Sequence, residues 1–265
     1  LLGTTYFGTS GFDQAYFVQL DPQDNVYVVG NTTGIYPVSP GVFSTPSGTQ
    51  FLQKFNTALS ASLWSTRFGS SGAENISPSA FLVSDCGQIY FSGWGGAVNP
   101  AGGGVTGSST IGLPTTTDAY QPGTDGSDFY LMVLNADASS LAYATFFGGT
   151  ATEHVDGGTS RFDKDGIVYQ AVCAGCGFGA TTFPTTPGAW SSTDNGMNCN
   201  LGVFKIDFEQ NVQVNIDASI NNLVLCLADP VVLSAVGTAD AWLWDLGDGS
   251  PTSTEVTLAH LYDEP

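Results

Sequence analysis

Positive charge is almost missing from this chain. Five Lys and Arg stand against 24 Asp and Glu, a formal net charge of −19 over 265 residues. Nucleic acid is excluded as a partner on that ground, because phosphate contacts need Lys and Arg, and docking on an anionic membrane surface is disfavoured for the same reason. No apolar run approaches the ~20 residues that span a bilayer, so membrane insertion is not expected. A signal-peptide pattern is absent too. Leu1-Leu2-Gly3 runs straight into strand-like sequence, which reads as a cut into a longer chain. Helical periodicity is lacking throughout. Histidine is limited to His154 and His260, and there is neither a Gly-x-Ser-x-Gly elbow nor a His-Glu-x-x-His motif. Paired glycosidase carboxylates are compatible with 24 acids, but most of those acids fall in repeated turn positions. The expectation is a non-enzymatic chain.

What is present is the material of strands and tight turns. Hydrophobic residues make up 42% and glycine contributes 34 residues, so the chain is built to fold rather than to stay disordered. Gly among aromatic and β-branched residues implies many short strands. The acidic balance suits solubility, divalent cations or a salty medium.

Four landmarks recur three times in the same order. An aromatic-Gly turn appears as Thr5-Tyr6-Phe7-Gly8, Thr66-Arg67-Phe68-Gly69 and Thr145-Phe146-Phe147-Gly148. A short strand follows at 25–30, 88–93 and 166–171. Then comes a Pro-containing loop at 36–43, 113–120 and 183–190, and an alternating strand at 51–55, 129–134 and 202–206. From turn Gly to strand Tyr the spacing is 19, 21 and 21 residues (8 to 27, 69 to 90, 148 to 169). From that Tyr to the loop Pro it is 10, 24 and 15, so length change is confined to a loop, where it is tolerated. Each unit accommodates about four strands, the signature of propeller blades or a β-solenoid. The expected organisation is repeats over 1–64, 65–144 and 145–209, followed by a second domain over 210–265. A propeller needs at least ~4 blades to close, which implies further blades upstream of Leu1 or a partner over the open face.

The repeat resembles the β-propeller repeat of bacterial surface proteins, through Thr5-Tyr6-Phe7-Gly8, Asp21 to Thr32, and Phe183 to Trp190. The segments Ser84-Asp85-Cys86-Gly87, Tyr169 to Gly177 and Asn198 to Phe204 are similar to large secreted proteins of Bacteroidetes that end in a gliding-motility-associated domain for type IX secretion. Trp244-Asp245-Leu246-Gly247-Asp248-Gly249-Ser250 with His260-Leu261-Tyr262 resembles a PKD domain, cut before its last strands. The implied fold class is all-β: β-propeller-type four-stranded repeats followed by a partial immunoglobulin-like (PKD) β-sandwich. The implied function is an extracellular structural or adhesive module on the cell surface, a rigid scaffold for attachment, gliding or an appendage. Its partners would be other domains or copies of the same large surface protein, or surface glycans or proteins. A carbohydrate- or protein-binding propeller, or an accessory module of a secreted hydrolase, is the alternative.

Several residues carry chemistry in this reading. Cys86, Cys173, Cys176 and Cys199 are disulfide candidates in an oxidising compartment, with Cys199 favoured to pair with Cys173 or Cys176. A zinc site of Cys173, Cys176, Cys199 and His154, or a redox pair at Cys173-x-x-Cys176, is the rival. Asp163 and Asp165, and likewise Asp245 and Asp248, sit in Asp-rich loops that suit either a hairpin turn or calcium. Trp94 and Trp190 could stack on sugar rings or fill the core between repeats.

Overall fold

The computed structural model describes the chain except residues 1, 71–75, 96–107, 156–159, 165, 177–181, 195, 197–198, 209–212, 217–229, 237–240 and 262–265, and gives only the backbone for 176, 213–216 and 236. Two compact units result, Leu1–Phe208 and Glu209–Pro265. Both are all-β and antiparallel; the only helical turn among the described residues is a 3-10 turn at Ala136–Ala138.

The first unit holds three sheets. Sheet 1 runs in chain order through β1 (Asp13–Leu20), β2 (Val26–Thr32), β3 (Gln50–Phe55) and β4 (Ser62–Phe68). Sheet 2 repeats that order with β5 (Ser77–Val83), β6 (Ile89–Trp94), β7 (Phe129–Leu134) and β8 (Leu141–Phe147). In sheet 3 the first position is shared by two short pieces, β9 (Thr152–His154) and β10 (Ser160–Phe162). Both pair with β11 (Val168–Cys176), which pairs in turn with β12 (Asn200–Ile206). Among the described residues no strand pairs with the outer edge of β12, the fourth position in the other two sheets.

Irregularities repeat along with the strands. A bulge falls between Ala15 and Phe17 in β1 and between Pro78 and Ala80 in β5. Each bulge faces a glycine across the ladder, Ala15 opposite Gly30 and Pro78 opposite Gly93. A Cβ on Gly30 would lie 2.1 Å from the Gln14 carbonyl oxygen, so the glycine in "Val-Val-Gly" is the price of the bulged first strand coming close. The Pro loops cover the outer edge. Ser39 N donates to Ser65 O at 2.8 Å while Ser65 N donates to Ser39 Oγ at 3.0 Å. Two residues after the proline of the next repeat, Thr116 makes the same bridge to Ala144, at 3.1 and 3.2 Å. The loop thereby satisfies edge-strand groups that would otherwise invite another chain.

The sheets pack face to face. One core lies between sheets 1 and 2 and includes Tyr27, Leu52, Trp64, Phe91, Tyr130 and Phe146. A second lies between sheets 2 and 3 and includes Trp94, Phe129, Leu131, Val172 and Phe204. The backbones of adjacent sheets approach within 8 Å mainly along their first strands, β1 with β5 and β5 with β10. Toward the outer strands the gap widens and large aromatic side chains fill it.

The second unit contains one three-stranded antiparallel sheet, β13 (Gln213–Ile216), β14 (Val231–Val236) and β15 (Thr257–His260). The Trp-Asp-Leu-Gly-Asp-Gly-Ser segment forms a tight loop closed by a bridge between Trp244 and Ser253. Gly247 and Gly249 take φ of 77° and 82° there, which only glycine adopts without strain.

Candidate functional site

The Asp-rich loops are built as turns. In sheet 1, Asp21 N donates to Asn25 O, Asp24 N donates back to Asp21 O, and the Asp21 carboxylate accepts from Gln23 N and Asn25 N. Asp163 repeats the arrangement, with Ile167 N on its Oδ1 at 3.0 Å and Gly166 N on its carbonyl. The middle repeat makes the same turn with a hydroxyl, Ser84 Oγ accepting from Gln88 N at 3.1 Å. A serine that performs the same task indicates that the position requires an acceptor, and a turn accounts for Asp163 without an ion. Asp165 lies outside the described residues. In the second unit Asp245 accepts from Gly247 N at 3.1 Å. Asp248 accepts from Ser250 N and bonds His260 Nε2 at 2.6 Å. The Ser250 hydroxyl and amide, with His260, hold the Asp248 carboxyl well below the usual range.

Asp21 has a second task. Lys54 Nζ sits 3.2 Å from Asp21 Oδ2 and 2.9 Å from Asp137 Oδ1, and lies over the Tyr27 ring. Trp64 Nε1 donates to the same Asp137 oxygen at 3.2 Å. Asp137 belongs to the turn between β7 and β8, so this group joins sheet 1 to sheet 2. Burial works against the Lys54 ammonium, but Tyr27, Asp137 and Asp21 outweigh it and raise its pKa. Burial likewise opposes the Asp21 carboxylate, and its donors, led by Asn25, still leave it below its ordinary value.

The remaining sequence candidates separate. Trp94 is buried in the second core, its ring 5.8 Å from that of His154, whereas Trp190 is fully exposed. Cys86, at the exposed turn between β5 and β6, carries a free thiol, which corrects the disulfide reading there; Cys173 stands mid-strand in β11, opposite Leu201 of β12 and His154 of β9. Cys199 is disulfide-bonded, which removes it from the zinc alternative; the side chains of Cys176 and Cys226 lie outside the described residues. Among the described residues no group of three or more His, Cys, Asp and Glu is placed to hold a metal.

Sequence reading missed one convergence. At the turn after β8, Asp128 and Glu153 are both buried, at 1% and 0% exposure. Gln121 Nε2 donates to Asp128 Oδ2 at 3.1 Å and Gly149 N donates to Glu153 Oε1 at 3.0 Å. The other oxygen of each, Asp128 Oδ1 and Glu153 Oε2, has no hydrogen-bond partner. Both point at Gly148: a Cβ there would lie 2.1 Å from Oδ1 and 2.9 Å from Oε2, which places the two oxygens no more than about 5 Å apart. Burial pushes the Glu153 carboxyl up to about 8, and the charges of Asp128 and Asp125 push the same way. Burial also raises Asp128. Spacing was the available signal. An acid stands five residues after each turn glycine, as Asp13, Glu74 and Glu153; Glu74 lies outside the described residues. Two buried carboxylate oxygens without donors cannot both stay ionised and bare. They suit a shared proton or a cation.

No family model matches this chain, and no curated protein is significantly similar to it.

Proposed function

We propose that the chain is a non-enzymatic scaffold of a large secreted surface protein, with propeller-type blades in its first unit and a PKD-like module in its second. The observation that carries this reading is the use of the repeated residues. Aromatic landmarks fill two inter-sheet cores, Asp21, Ser84 and Asp163 close the turns that lead into the second landmark, and Ser or Thr of the Pro loop seals an edge. The repeat is thus committed to rigidity. First strands that approach most closely, with outer strands spread by aromatics, agree with blades fanning from one axis. Other repeats or copies of the same protein are its natural partners. Sheet 3 exposes Leu201 and Val203 on one face, and Leu2–Gly8, which carries the fourth-strand motif, stands outside every sheet with Tyr6 exposed. Export to the cell surface and a role in attachment or gliding follow from the repeat and PKD resemblance.

Trp190 favours a second reading, a glycan-binding blade, because a fully exposed Trp on a Pro loop presents an open stacking face. A high-density glycan array decides between them. The scaffold reading expects no specific hits. A dose-dependent signal lost in Trp190→Ala replaces it with binding.

A further inference from the structure

We infer that Asp128 and Glu153 bind a calcium ion at the Gly148 turn, tying the end of sheet 2 to the first strand of sheet 3. The two partnerless oxygens are buried and lie against the same glycine. Their separation, at most about 5 Å, lets one oxygen-ligated calcium with bonds of roughly 2.3–2.6 Å reach both. Asp125 adds negative charge nearby while its own Oδ1 accepts from Ser127 N. Burial and the Asp125 charge oppose the Asp128 carboxylate, while the Thr124 hydroxyl, the Asp125 backbone and the Gln121 amide favour it.

The two sister turns sharpen the case, because each is complete without an ion. At Gly8 both oxygens of Asp13 accept from Thr9, through its amide at 2.6 Å and its hydroxyl at 3.1 Å. At Gly69 the facing side chain is an amide, Gln50, oriented to donate to Phe68 O at 3.2 Å and to accept from Ile76 N at 3.1 Å. At Gly148 a carboxylate faces a carboxylate, and both oxygens come so close that a Cβ there would collide with them. A hard cation with oxygen ligands, completed by water, satisfies both oxygens at once.

Calcium chloride titrated calorimetrically into the chelator-treated full chain tests this. The expected result is binding at this turn, a higher melting temperature, and slowed amide exchange across Phe147 to Glu153. Asp128→Asn supplies an amide like Gln50. It is expected to keep the fold by circular dichroism while losing calcium affinity by more than the ~10–100-fold typical of an outer partner. Glu153→Gln is expected to do the same and decides if the first variant fails to fold. No heat and no rise in melting temperature with calcium overturns the inference in favour of a shared proton. So does a wild-type response retained in both variants, or ion binding without protection at the turn, since either puts the ion elsewhere.

Discussion

Sheets 2 and 3 are built from the same repeat yet differ in how much of it is buried. In sheet 2, β6 and β7 are buried at every position, because sheet 1 covers one face and sheet 3 the other. In sheet 3, β12 alternates: Phe204 packs inward while Leu201, Val203 and Lys205 face out. A blade therefore does not bury itself. Its stability is borrowed from neighbours, as in other stacked repeats, and an outer face with Leu201 at 86% exposure records where the stack stops among the described residues.

The largest expected effect tests that contrast directly. Phe129 is fully buried and meets Phe204 edge-on with centroids 5.2 Å apart. Phe129→Ala should cost about 3–5 kcal/mol in urea unfolding. Leu201→Ala should stay within about 0.5 kcal/mol. An equal cost at Leu201 would break the comparison and mean that its face is covered in solution.

A smaller difference is expected at the two cross-strand Lys–Tyr pairs. Lys54 and Lys205 lie over Tyr27 and Tyr169 at 5.0 and 5.4 Å, but only Lys54 also bridges to the next sheet. Lys54→Ala strips a donor from buried Asp21 and should cost about 1–3 kcal/mol. Lys205→Ala should cost no more than about 1 kcal/mol, as for exposed cation–π pairs. The Asp21 carboxyl is depressed in the fold, so its contribution is full above the ordinary aspartate pKa near ~3.9 and is lost as pH falls through the lower folded value. Chemical unfolding followed between about pH 5 and pH 2 should accordingly show a shallower acid loss in Asp21→Asn than in the wild type. An unchanged slope would remove Asp21 from the inter-sheet link.

Strands, turns and loop insertions were legible because the repeat states each three times over: Tyr27, Tyr90 and Tyr169 all lie on the strand the spacing assigns them. The turn role of Asp163 was legible as one of two options, and Ser84 makes the same turn bond in the equivalent place. What stayed hidden depends on contacts between repeats. Trp94 follows a strand landmark and Trp190 ends a Pro loop, but that Trp94 lies between two sheets and Trp190 in solvent depends on the neighbouring repeats. The pair of Asp128 and Glu153 joins the entry to β7 with a three-residue strand of the following repeat; the spacing from the turn glycine marks Glu153 but not its meeting with Asp128, which stacking sets.

The smallest effect sharpens the comparison most, because it reports on the open edge rather than the open face. Thr116 bridges to Ala144 on β8 through both its amide and its hydroxyl, and Ser39 does so on β4. Thr186 holds the same place, two residues after Pro184, and keeps the local turn, Ala189 N donating to its carbonyl at 3.1 Å. Its side chain is exposed, and sheet 3 offers it no strand on the outer edge of β12 among the described residues. Thr116→Ala should therefore cost about 1 kcal/mol, the net worth of one lost hydrogen bond, and Thr186→Ala close to nothing by the same thermal melt. If the two substitutions cost alike, a strand is seated beside β12 in solution. Its source is then testable: a cost at Thr186 that grows with protein concentration requires the strand to come from a second chain.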